Sequence, residues 1–370
     1  MPERDAGRDV RVLIAGGGTG GHLMPALHLA RELEARGSIV MLVGGERGRD
    51  GQLLDRLWHA HRLLPAPILD RRRWWANVAL PVRLGRAFAA ARRVLQAFGP
   101  DVVVGTGGYV SVPVGLAARA SGIPLVLQEQ NRNPGVATRL LARWAESICV
   151  GFAEAASALP GRPVVVTGNP IAPPRAVPAD FAERLDPDRP TLGIFGGSQG
   201  ARGINETVLR LWGGRTGEVP NLVWQTGRLD EGRVRAAAAW PERVVIREFF
   251  SPMTAVYPLL DAIVCRAGAM TLAELAAWGI PAVLVPYPFA TADHQTGNAR
   301  ALERAGAAVV VPEKELSAER LLAALADLLD DPGARETMAR AARRLGRPEA
   351  AAAVADRVIA VATRPASEFP

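Results

Sequence analysis

The chain has 370 residues, of which 49% are hydrophobic and 22% are charged. This composition excludes a disordered protein, and the length favours two domains over a single hydrophobic core. The formal charge of +7 favours an anionic partner, but charge alone does not choose among nucleic acid, lipid headgroups and phosphorylated substrates. Residues 1–9 mix acidic and basic side chains without an apolar run, so we expect no secretory signal and a cytoplasmic location.

The predicted elements indicate an α/β fold. Short apolar runs alternate with helix-length segments, which is typical of parallel sheets covered by helices on both faces. Cys149 and Cys265 each end such a run, so we predict that both thiols are buried in the core. In chain order, the clearest predicted strands are residues 10–15, 39–43, 102–105, 125–128, 164–167, 192–195, 222–225, 244–247, 262–265 and 282–285.

A proline-rich stretch divides the chain. Residues 168–190 contain repeated prolines that interrupt regular structure, as a domain linker does. We therefore predict an N-terminal domain of residues 1–168 and a C-terminal domain of residues 169–348. A last helix is predicted near residues 349–362, and the terminal segment 349–370 is expected to pack back on the first domain.

Two glycine-rich turns lie about half the chain apart. Each follows a predicted strand and precedes a predicted helix: GGGTGGH at residues 16–22 and GGSQGA at residues 196–201. A glycine turn lets the backbone approach a phosphate closely, and the following helix offers unpaired N–H groups and a positive dipole end. The pair predicts two phosphate-binding halves that face a common cleft.

The first turn allows two interpretations. Gly16, Gly18 and Gly21 fit the dinucleotide-binding fingerprint of a dehydrogenase, and Glu46 could be the acidic residue that binds the ribose. A dehydrogenase, however, does not need a second glycine turn in its other domain. His22 would instead project into the cleft, and a helix N-terminus disfavours imidazolium, so the ring can accept a proton. We predict that His22 is a general base, the alternative being a hydrogen bond to a neighbouring loop.

Two further loops of the first half follow predicted strands. They are TGGYVS at residues 106–111 and EQNRNPG at residues 129–135. Ligands of open α/β sheets gather at the carboxyl ends of strands, so we favour a binding role over ordinary connections.

The second half carries two polar segments, RAGAMTLAE at residues 266–274 and HQTGNA at residues 294–299. Glu274 falls within the first two turns of a predicted helix, where its carboxylate either caps the helix or accepts hydrogen bonds from two ribose hydroxyl groups. Gln295 and Asn298 are three residues apart, so they share a helix face suited to sugar hydroxyl groups.

Taken in this order, and together with GNP at residues 168–170, these motifs resemble the MurG family of bacterial peptidoglycan glycosyltransferases over nearly the whole chain. The resemblance implies the GT-B architecture, with two Rossmann-like domains. It implies inverting transfer of N-acetylglucosamine from UDP-GlcNAc to the C4 hydroxyl group of the MurNAc unit in lipid I, which yields lipid II and UDP. No cofactor and no tightly bound metal are implied.

The resemblance also implies roles for individual residues. The first turn would accept the acceptor diphosphate, with His22 near the attacking hydroxyl group. The second turn and Arg266 would receive the donor diphosphate, the Phe250 backbone would meet uracil, and Glu274 would hold the ribose. Gln295, Asn298 and Asn131 would contact N-acetylglucosamine. The implied substrate-binding set is Thr19, Gly20, Gly21, Tyr109, Glu129, Asn131, Ser198, Gln199, Gly200, Phe250, Arg266, Gly268, Ala269, Met270, Thr271, Glu274, Gln295 and Asn298.

A basic and aromatic segment lies between the second and third predicted strands, 39–43 and 102–105. No acidic residue occurs from Arg71 to Pro100, and the segment combines arginines with Trp74 and Trp75. Such a segment suits lipid headgroups but is too polar to span a bilayer. We expect a peripheral protein on the anionic cytoplasmic face of the bacterial cell membrane; the alternative is a helix with a solvated basic face. The residues of this segment are Arg71, Arg72, Arg73, Trp74, Trp75, Val78, Leu80, Arg83, Leu84, Arg86, Phe88, Arg92, Arg93 and Leu95.

Two alternative functions remain open at this point. A UDP-GlcNAc 2-epimerase shares the two-domain architecture and the nucleotide but needs no acceptor. A basic nucleic-acid-binding protein is disfavoured because no recognition module is visible. Asp186-Pro187-Asp188 matches the metal-binding DxD of other glycosyltransferases, but its flanking prolines predict a solvated turn.

Overall fold

The computed structural model describes residues 9–18, 20–46, 50–58, 60–66, 78–197, 199–213, 219–290 and 293–364. These residues form two compact units. The N-terminal unit contains the described residues up to Ala172 and those from Glu349 onward, and the C-terminal unit is Pro173–Pro348.

The N-terminal unit is built on a seven-stranded sheet in which all recorded pairings are parallel. Its strands are β1 (Arg11–Ala15), β2 (Ile39–Gly45), β3 (His61–Leu64), β4 (Val102–Gly105), β5 (Leu125–Glu129), β6 (Ser147–Val150) and β7 (Val164–Val166). Its α-helices are α1 (Gly20–Ala35), α2 (Asp50–Leu57), α3 (Leu80–Phe98), α4 (Gly108–Ala120), α5 (Val136–Leu141) and, from the end of the chain, α12 (Ala350–Thr363). Short 3-10 helices cover Ala142–Trp144 and Ala153–Ala158.

The C-terminal unit contains a six-stranded sheet, also parallel at every recorded pairing. Its strands are β8 (Thr191–Phe195), β9 (Asn221–Gln225), β10 (Val244–Arg247), β11 (Ala262–Cys265), β12 (Ala282–Leu284) and β13 (Ala308–Val310). Its α-helices are α6 (Arg202–Trp212), α7 (Glu231–Ala236), α8 (Ala269–Trp278), α9 (His294–Arg304), α10 (Ala318–Asp330) and α11 (Pro332–Leu345). Its 3-10 helices are Ala182–Arg184, Met253–Ala255, Tyr257–Leu259 and Glu313–Glu315.

The two sheets share one strand order. The first runs β3-β2-β1-β4-β5-β6-β7 and the second β10-β9-β8-β11-β12-β13, so each contains the Rossmann order 3-2-1-4-5-6. The order reverses between β1 and β4 in one unit and between β8 and β11 in the other. Ligands of such sheets bind where the order reverses, beyond the carboxyl ends of the strands. Both predicted glycine turns lie at these points, because they follow β1 and β8.

The predicted α/β class and all ten predicted strands are confirmed, with ends within two residues of their predicted bounds. Three further strands, β3, β6 and β13, were missed. They are at most four residues long, and β3 reads His-Arg-Leu-Leu, which has too few apolar residues to stand out from a loop. Cys149 and Cys265 are buried as predicted, and burial raises the pKa of their thiols to about 11 and about 12.

Helix α12 completes the core of the N-terminal unit. Val354, Ala355, Val358 and Val361 are buried in one cluster with residues of α1 and the central strands. Full burial of a valine side chain stabilises a fold by about 1.5–3 kcal/mol relative to exposure. The buried valines therefore make α12 an integral part of this unit.

His28, on α1, should make the protein sensitive to acid. Burial, assisted by the charge of Arg31, lowers the pKa of His28 from 6.5 to about 4. A histidine with a lowered pKa stabilises the fold above its unfolded pKa, and this contribution disappears as pH falls toward the folded value. Between pH 7.5 and 4.5 we expect the free energy of unfolding to fall about 2–3 kcal/mol less in His28→Gln than in the parent, measured by urea titration. An equal fall in both proteins would contradict this expectation.

Candidate active site

The first glycine turn packs tightly between two other loops. A Cβ atom on Gly16 would lie 1.9 Å from Thr106 Oγ1, so only glycine fits beside the loop that follows β4. Gly18 has φ of +88° and donates its N–H to Asp50 Oδ2 at 2.7 Å. The same oxygen accepts the Gly45 N–H at 3.0 Å. Gly20 and Gly21 begin α1 and are exposed, while Thr19 lies outside the described residues.

Asp50 was missed by the sequence analysis. It is 3% exposed, and its carboxylate ties the turn to the end of β2. In the sequence, Asp50 appears as an acidic residue at the first position of a helix, and such a residue usually interacts only with the helix dipole. Local sequence does not distinguish that role from binding a distant turn.

Replacing Asp50 with alanine should therefore destabilise the N-terminal unit. Two backbone N–H groups would lose their acceptor, and each unsatisfied buried donor costs about 1–3 kcal/mol. We expect the free energy of unfolding to fall by about 2–4 kcal/mol in a denaturant titration. Asp55→Ala is the control on the same helix, since the Asp55 side chain is 71% exposed and its contact with His61 should contribute less than about 1 kcal/mol. Equal losses in the two variants would refute the role of Asp50.

His22 is held with one ring nitrogen engaged. Its Nδ1 lies 3.1 Å from the Thr106 carbonyl oxygen and 2.9 Å from Gln130 Oε1. The carbonyl oxygen can only accept, so Nδ1 carries the hydrogen and donates it. In the neutral ring Nε2 then has the free lone pair and is the atom able to accept a proton.

The loop after β4 fits around this imidazole. A Cβ atom on Gly107, where φ is +96°, would lie 2.7 Å from His22 Nδ1. A Cβ atom on Gly108 would lie 2.2 Å from the Gly17 carbonyl oxygen. Tyr109 is the next residue, and its ring borders the first turn, 2.3 Å from a Cβ atom built on Gly18. The two glycines of this loop are thus required by close packing.

A buried amide network supports His22. Gln130 is 2% exposed, and its Nε2 donates to the Thr106 carbonyl oxygen at 2.7 Å. This contact fixes the amide so that Oε1 faces His22. Asn169 donates from Nδ2 to the Gln130 carbonyl oxygen at 3.0 Å and accepts from Gln128 Nε2 at 3.0 Å. A binding role was predicted for this polar loop from the sequence, but Gln130 itself was given none.

Glu129 organises the loop that bears Asn131. It is 3% exposed, and its carboxylate accepts from the Asn131 N–H at 3.0 Å and Nδ2 at 3.2 Å. The same carboxylate accepts from the Gly135 N–H at 2.9 Å and from Thr138 Oγ1 at 2.6 Å. Four donors match the acceptor capacity of a carboxylate, so the contacts of Glu129 all lie within its own loop and α5.

The second glycine turn, in the C-terminal unit, is equally constrained. Gly197 and Gly200 have φ of +80° and +77°, and a Cβ atom on Gly200 would lie 2.3 Å from the Thr226 carbonyl oxygen. Buried Asn205, one turn into α6, donates to that same oxygen at 2.9 Å and accepts from Trp224 Nε1 at 3.0 Å. Gln199 is exposed, and Ser198 lies outside the described residues.

Arg266 and Gln295 belong to one cluster beyond β11 and β12. Arg266 forms an ion pair with Glu313, with Nη1 2.6 Å from Oε2, and its guanidinium lies 5.4 Å from the centre of the Tyr287 ring. Gln295 Oε1 accepts the N–H groups of Ala267 at 3.2 Å and of Tyr287 at 2.9 Å. Gln295 therefore joins the two loops, and Glu313 is a partner that the sequence analysis did not identify.

The N-terminus of α8 follows directly. Gly268 is its N-cap residue, and the first turn contains Ala269, Met270 and Thr271 with no acidic side chain. Such a helix end presents N–H groups and favours anions. Asn298, on α9, is fully buried, so its amide faces the protein interior.

Glu274 lies further along α8 and is paired with a tyrosine. Its Oε2 accepts a hydrogen bond from the Tyr257 hydroxyl group at 2.5 Å. Burial raises the pKa of Glu274, and the hydrogen bond from Tyr257 acts in the opposite direction. Burial and the nearby carboxylate raise the pKa of Tyr257 well above 10, which keeps its hydroxyl group protonated as the donor.

Phe250 is buried at the end of the loop after β10. Its N–H donates to Gln225 Oε1 at 3.0 Å, and its ring centre lies 5.4 Å from that of Phe181 and 6.2 Å from that of Phe195. The backbone N–H of Phe250 is thus bonded within the protein. The carbonyl oxygen is the other backbone group of this residue that can form a hydrogen bond.

Asp186 forms a turn with its neighbours. Its carboxylate accepts from the Asp188 N–H at 3.0 Å and from Arg189 Nε at 3.1 Å, and its side chain is 38% exposed. Within the described ranges, no group of three or more His, Cys, Asp or Glu residues is arranged to hold a metal ion.

Two family models match the chain, one in each half. Residues 12–150 match the glycosyltransferase family 28 N-terminal domain, and residues 191–355 match its C-terminal domain. The calicheamicin glycosyltransferase CalG4 has the same fold at 18% identity, with a TM-score of 0.70 over 96% of this chain and 98% of that one. Together with the two Rossmann-like sheets, these findings define a GT-B glycosyltransferase of family 28.

Individual relatives narrow the class. UDP-N-acetylglucosamine--N-acetylmuramyl-(pentapeptide) pyrophosphoryl-undecaprenol N-acetylglucosamine transferase of Chlorobaculum parvum is 43% identical over 95% of this chain and 99% of its own length. The enzyme of that name from Moorella thermoacetica is 42% identical over 93% of this chain and 97% of its own length. The crystal structure of MurG from Acinetobacter baumannii superposes with a TM-score of 0.77 at 30% identity, covering 95% of this chain and 100% of that one. The chain belongs to this family of N-acetylglucosamine transferases.

Proposed function

We infer that the chain transfers N-acetylglucosamine from UDP-GlcNAc to lipid I, giving lipid II and UDP in peptidoglycan synthesis. Family membership supports the reaction and both substrates. The observation that carries the catalytic assignment is the geometry of His22, whose Nδ1 is engaged by Thr106 and Gln130 so that Nε2 retains its lone pair.

The proposed chemistry is a single inverting displacement. The C4 hydroxyl oxygen of the MurNAc unit forms a bond to the anomeric carbon of N-acetylglucosamine as the bond from that carbon to the UDP oxygen breaks. His22 Nε2 accepts the hydroxyl proton, and the resulting imidazolium is stabilised by the carbonyl and amide oxygens that face Nδ1. UDP leaves with the bonding electron pair.

The C-terminal unit is the proposed donor site. Gly200, Gln199 and Ser198, at the N-terminus of α6, would hold the diphosphate together with Arg266 and the first turn of α8 at Gly268, Ala269, Met270 and Thr271. Backbone dipoles and a guanidinium group stabilise the charge that develops on the departing diphosphate. Uracil would meet the Phe250 backbone, Glu274 the ribose, and Gln295 and Asn298 the acetylated sugar.

The N-terminal unit is the proposed acceptor site. Thr19, Gly20 and Gly21 would receive the acceptor diphosphate at the start of α1, beside Tyr109. Asn131 would contact the transferred sugar, and Glu129 would act by holding the loop that bears Asn131.

We also propose that this unit contacts the anionic cytoplasmic face of the cell membrane. On α3 and just before it, Val78 and Val82 are 77% and 63% exposed, and Arg83 and Arg86 are exposed beside them. Basic residues near an anionic surface contribute about 1 kcal/mol each. The aromatic and basic residues 71–75 lie outside the described residues. No described helix is long and apolar enough to cross a bilayer.

Flotation with liposomes tests the membrane proposal. Liposomes containing phosphatidylglycerol should carry the parent protein to the top of a density gradient. A variant with Arg71, Arg72, Trp74 and Trp75 replaced by serine should remain at the bottom. Unchanged flotation of this variant would refute the proposal.

Coupled UDP release tests the reaction. We expect UDP to form from UDP-GlcNAc only when a lipid I analogue is present, with lipid II analogue accumulating in equal amount. A UDP-GlcNAc 2-epimerase would convert the nucleotide sugar without an acceptor, so conversion in its absence would favour that alternative.

A further inference from the structure

Tyr257 is buried directly against the carboxylate of Glu274. It begins the 3-10 helix Tyr257–Leu259, which precedes β11, and its side chain is 4% exposed. Its hydroxyl group donates to Glu274 Oε2 at 2.5 Å. Neither the motifs of the sequence nor the proposed mechanism gives this tyrosine a role.

Packing fixes the tyrosine ring. The centre of the Trp278 ring, at the end of α8, lies 6.1 Å from the centre of the Tyr257 ring at an angle of 45°. Because Glu274 lies one turn earlier on the same helix, Tyr257 contacts α8 at both positions. The hydroxyl group therefore has a defined direction relative to the carboxylate.

The contact leaves capacity for a ligand. A carboxylate can accept about four hydrogen bonds, and the tyrosine supplies one of them to Oε2. The hydrogen bond also favours the charged form of Glu274, whose pKa is raised by burial. A charged acceptor binds hydroxyl groups more strongly than a neutral one.

We propose that Tyr257 is a positioning residue for nucleotide binding, whose hydroxyl group holds the Glu274 carboxylate in the orientation that accepts both hydroxyl groups of the donor ribose. This inference rests on the proposed function, because it takes Glu274 as the residue that binds the ribose. The chemical group recognised is the vicinal diol of a uridine diphosphate.

The test compares UDP with 2′-deoxy-UDP by isothermal titration calorimetry. Tyr257→Phe retains the ring and removes only the oriented hydrogen bond. We expect it to weaken UDP binding about fivefold to tenfold, and 2′-deoxy-UDP binding much less, because the deoxynucleotide already lacks one of the two ribose contacts. KM for UDP-GlcNAc should rise by the same factor, while kcat changes little.

A double-mutant cycle separates positioning from general stability. Glu274→Gln should weaken UDP binding, and adding Tyr257→Phe to that variant should weaken it no further, because the tyrosine acts through the carboxylate. Trp278→Phe is the matched control, since it keeps an aromatic ring against Tyr257 and leaves the hydroxyl group in place. It should leave the ratio of UDP to 2′-deoxy-UDP affinity unchanged.

Several outcomes overturn the inference. Equal weakening of UDP and 2′-deoxy-UDP by Tyr257→Phe, or additive losses in the double variant, would show a structural role only. If Glu274→Gln weakens UDP binding but Tyr257→Phe does not, the positioning role alone is wrong. If Glu274→Gln has no effect on UDP binding, the ribose assignment in the proposed function is wrong, and this inference falls with it.

Discussion

His22→Ala is expected to lower kcat by about a thousandfold, because it removes the Nε2 lone pair that we propose accepts the proton of the acceptor hydroxyl group. KM for UDP-GlcNAc and the Kd for UDP should stay close to parental values, since the proposed donor site lies in the C-terminal unit. The measurement is steady-state UDP release with a lipid I analogue across neutral pH, combined with calorimetric titration of UDP.

His28→Gln is the control for this experiment. His28 is also on α1, six residues along the chain, and has no assigned part in the reaction, so its replacement should leave kcat unchanged at neutral pH. A His22→Ala rate equal to the parental rate across neutral pH would remove the base assignment. Retention of rate in His22→Gln, which has an amide in place of the imidazole, would instead assign His22 to orienting the hydroxyl group.

Gly107→Ala is expected to lower kcat about a hundredfold, because misplacing a catalytic group by about 1 Å can cost this much. The new methyl group would lie 2.7 Å from His22 Nδ1, so the imidazole or the loop must move. UDP affinity should be unaffected. Steady-state kinetics and UDP titration of the purified variant measure both effects.

Gly122→Ala is the control for a side chain at positive φ that meets no neighbouring atom. Gly122 also has a positive φ, +66°, and lies just beyond the C-terminal end of α4, the helix that begins directly after Gly107. A Cβ atom on Gly122 would meet nothing within 4 Å. An alanine at positive φ is strained in both variants, and at Gly107 the pair φ +96°, ψ −173° is a conformation that essentially only glycine adopts. Gly122→Ala should therefore lose stability and retain its rate. Equal rates in the two variants would show that contact with His22 is unimportant.

The glycine turns and most strands were predictable because their signals are local. Strand β4 is a run of valines that is recognisable in the sequence and is buried in the structure. The turn at 196–201 is marked in the sequence by its glycines, of which Gly197 and Gly200 have positive φ. Contacts between residues far apart in the chain could not be predicted from such local signals. His22 depends on Thr106 and Gln130, which are 84 and 108 residues away, and periodicity contains no information on such contacts.

Charged partners were the hardest feature to predict. Arg266 was identified from its motif, but its ion pair with Glu313 spans 47 residues and joins two loops of different strands. Asp50 likewise appears in the sequence as an ordinary first residue of a helix. Its contacts with Gly18 and Gly45 follow only from the parallel pairing of β1 and β2, which brings the ends of those strands together.

The packing of α12 has a consequence for biosynthesis. Since α12 packs with α1 against the central strands of the seven-stranded sheet, the N-terminal unit reaches its native core only after residues 350–363 have left the ribosome. Until then the apolar surface of α1 and the neighbouring strands remains exposed to solvent. A polypeptide ending at residue 172 is accordingly expected to aggregate on expression, and addition of a separate peptide with the α12 sequence should restore its solubility.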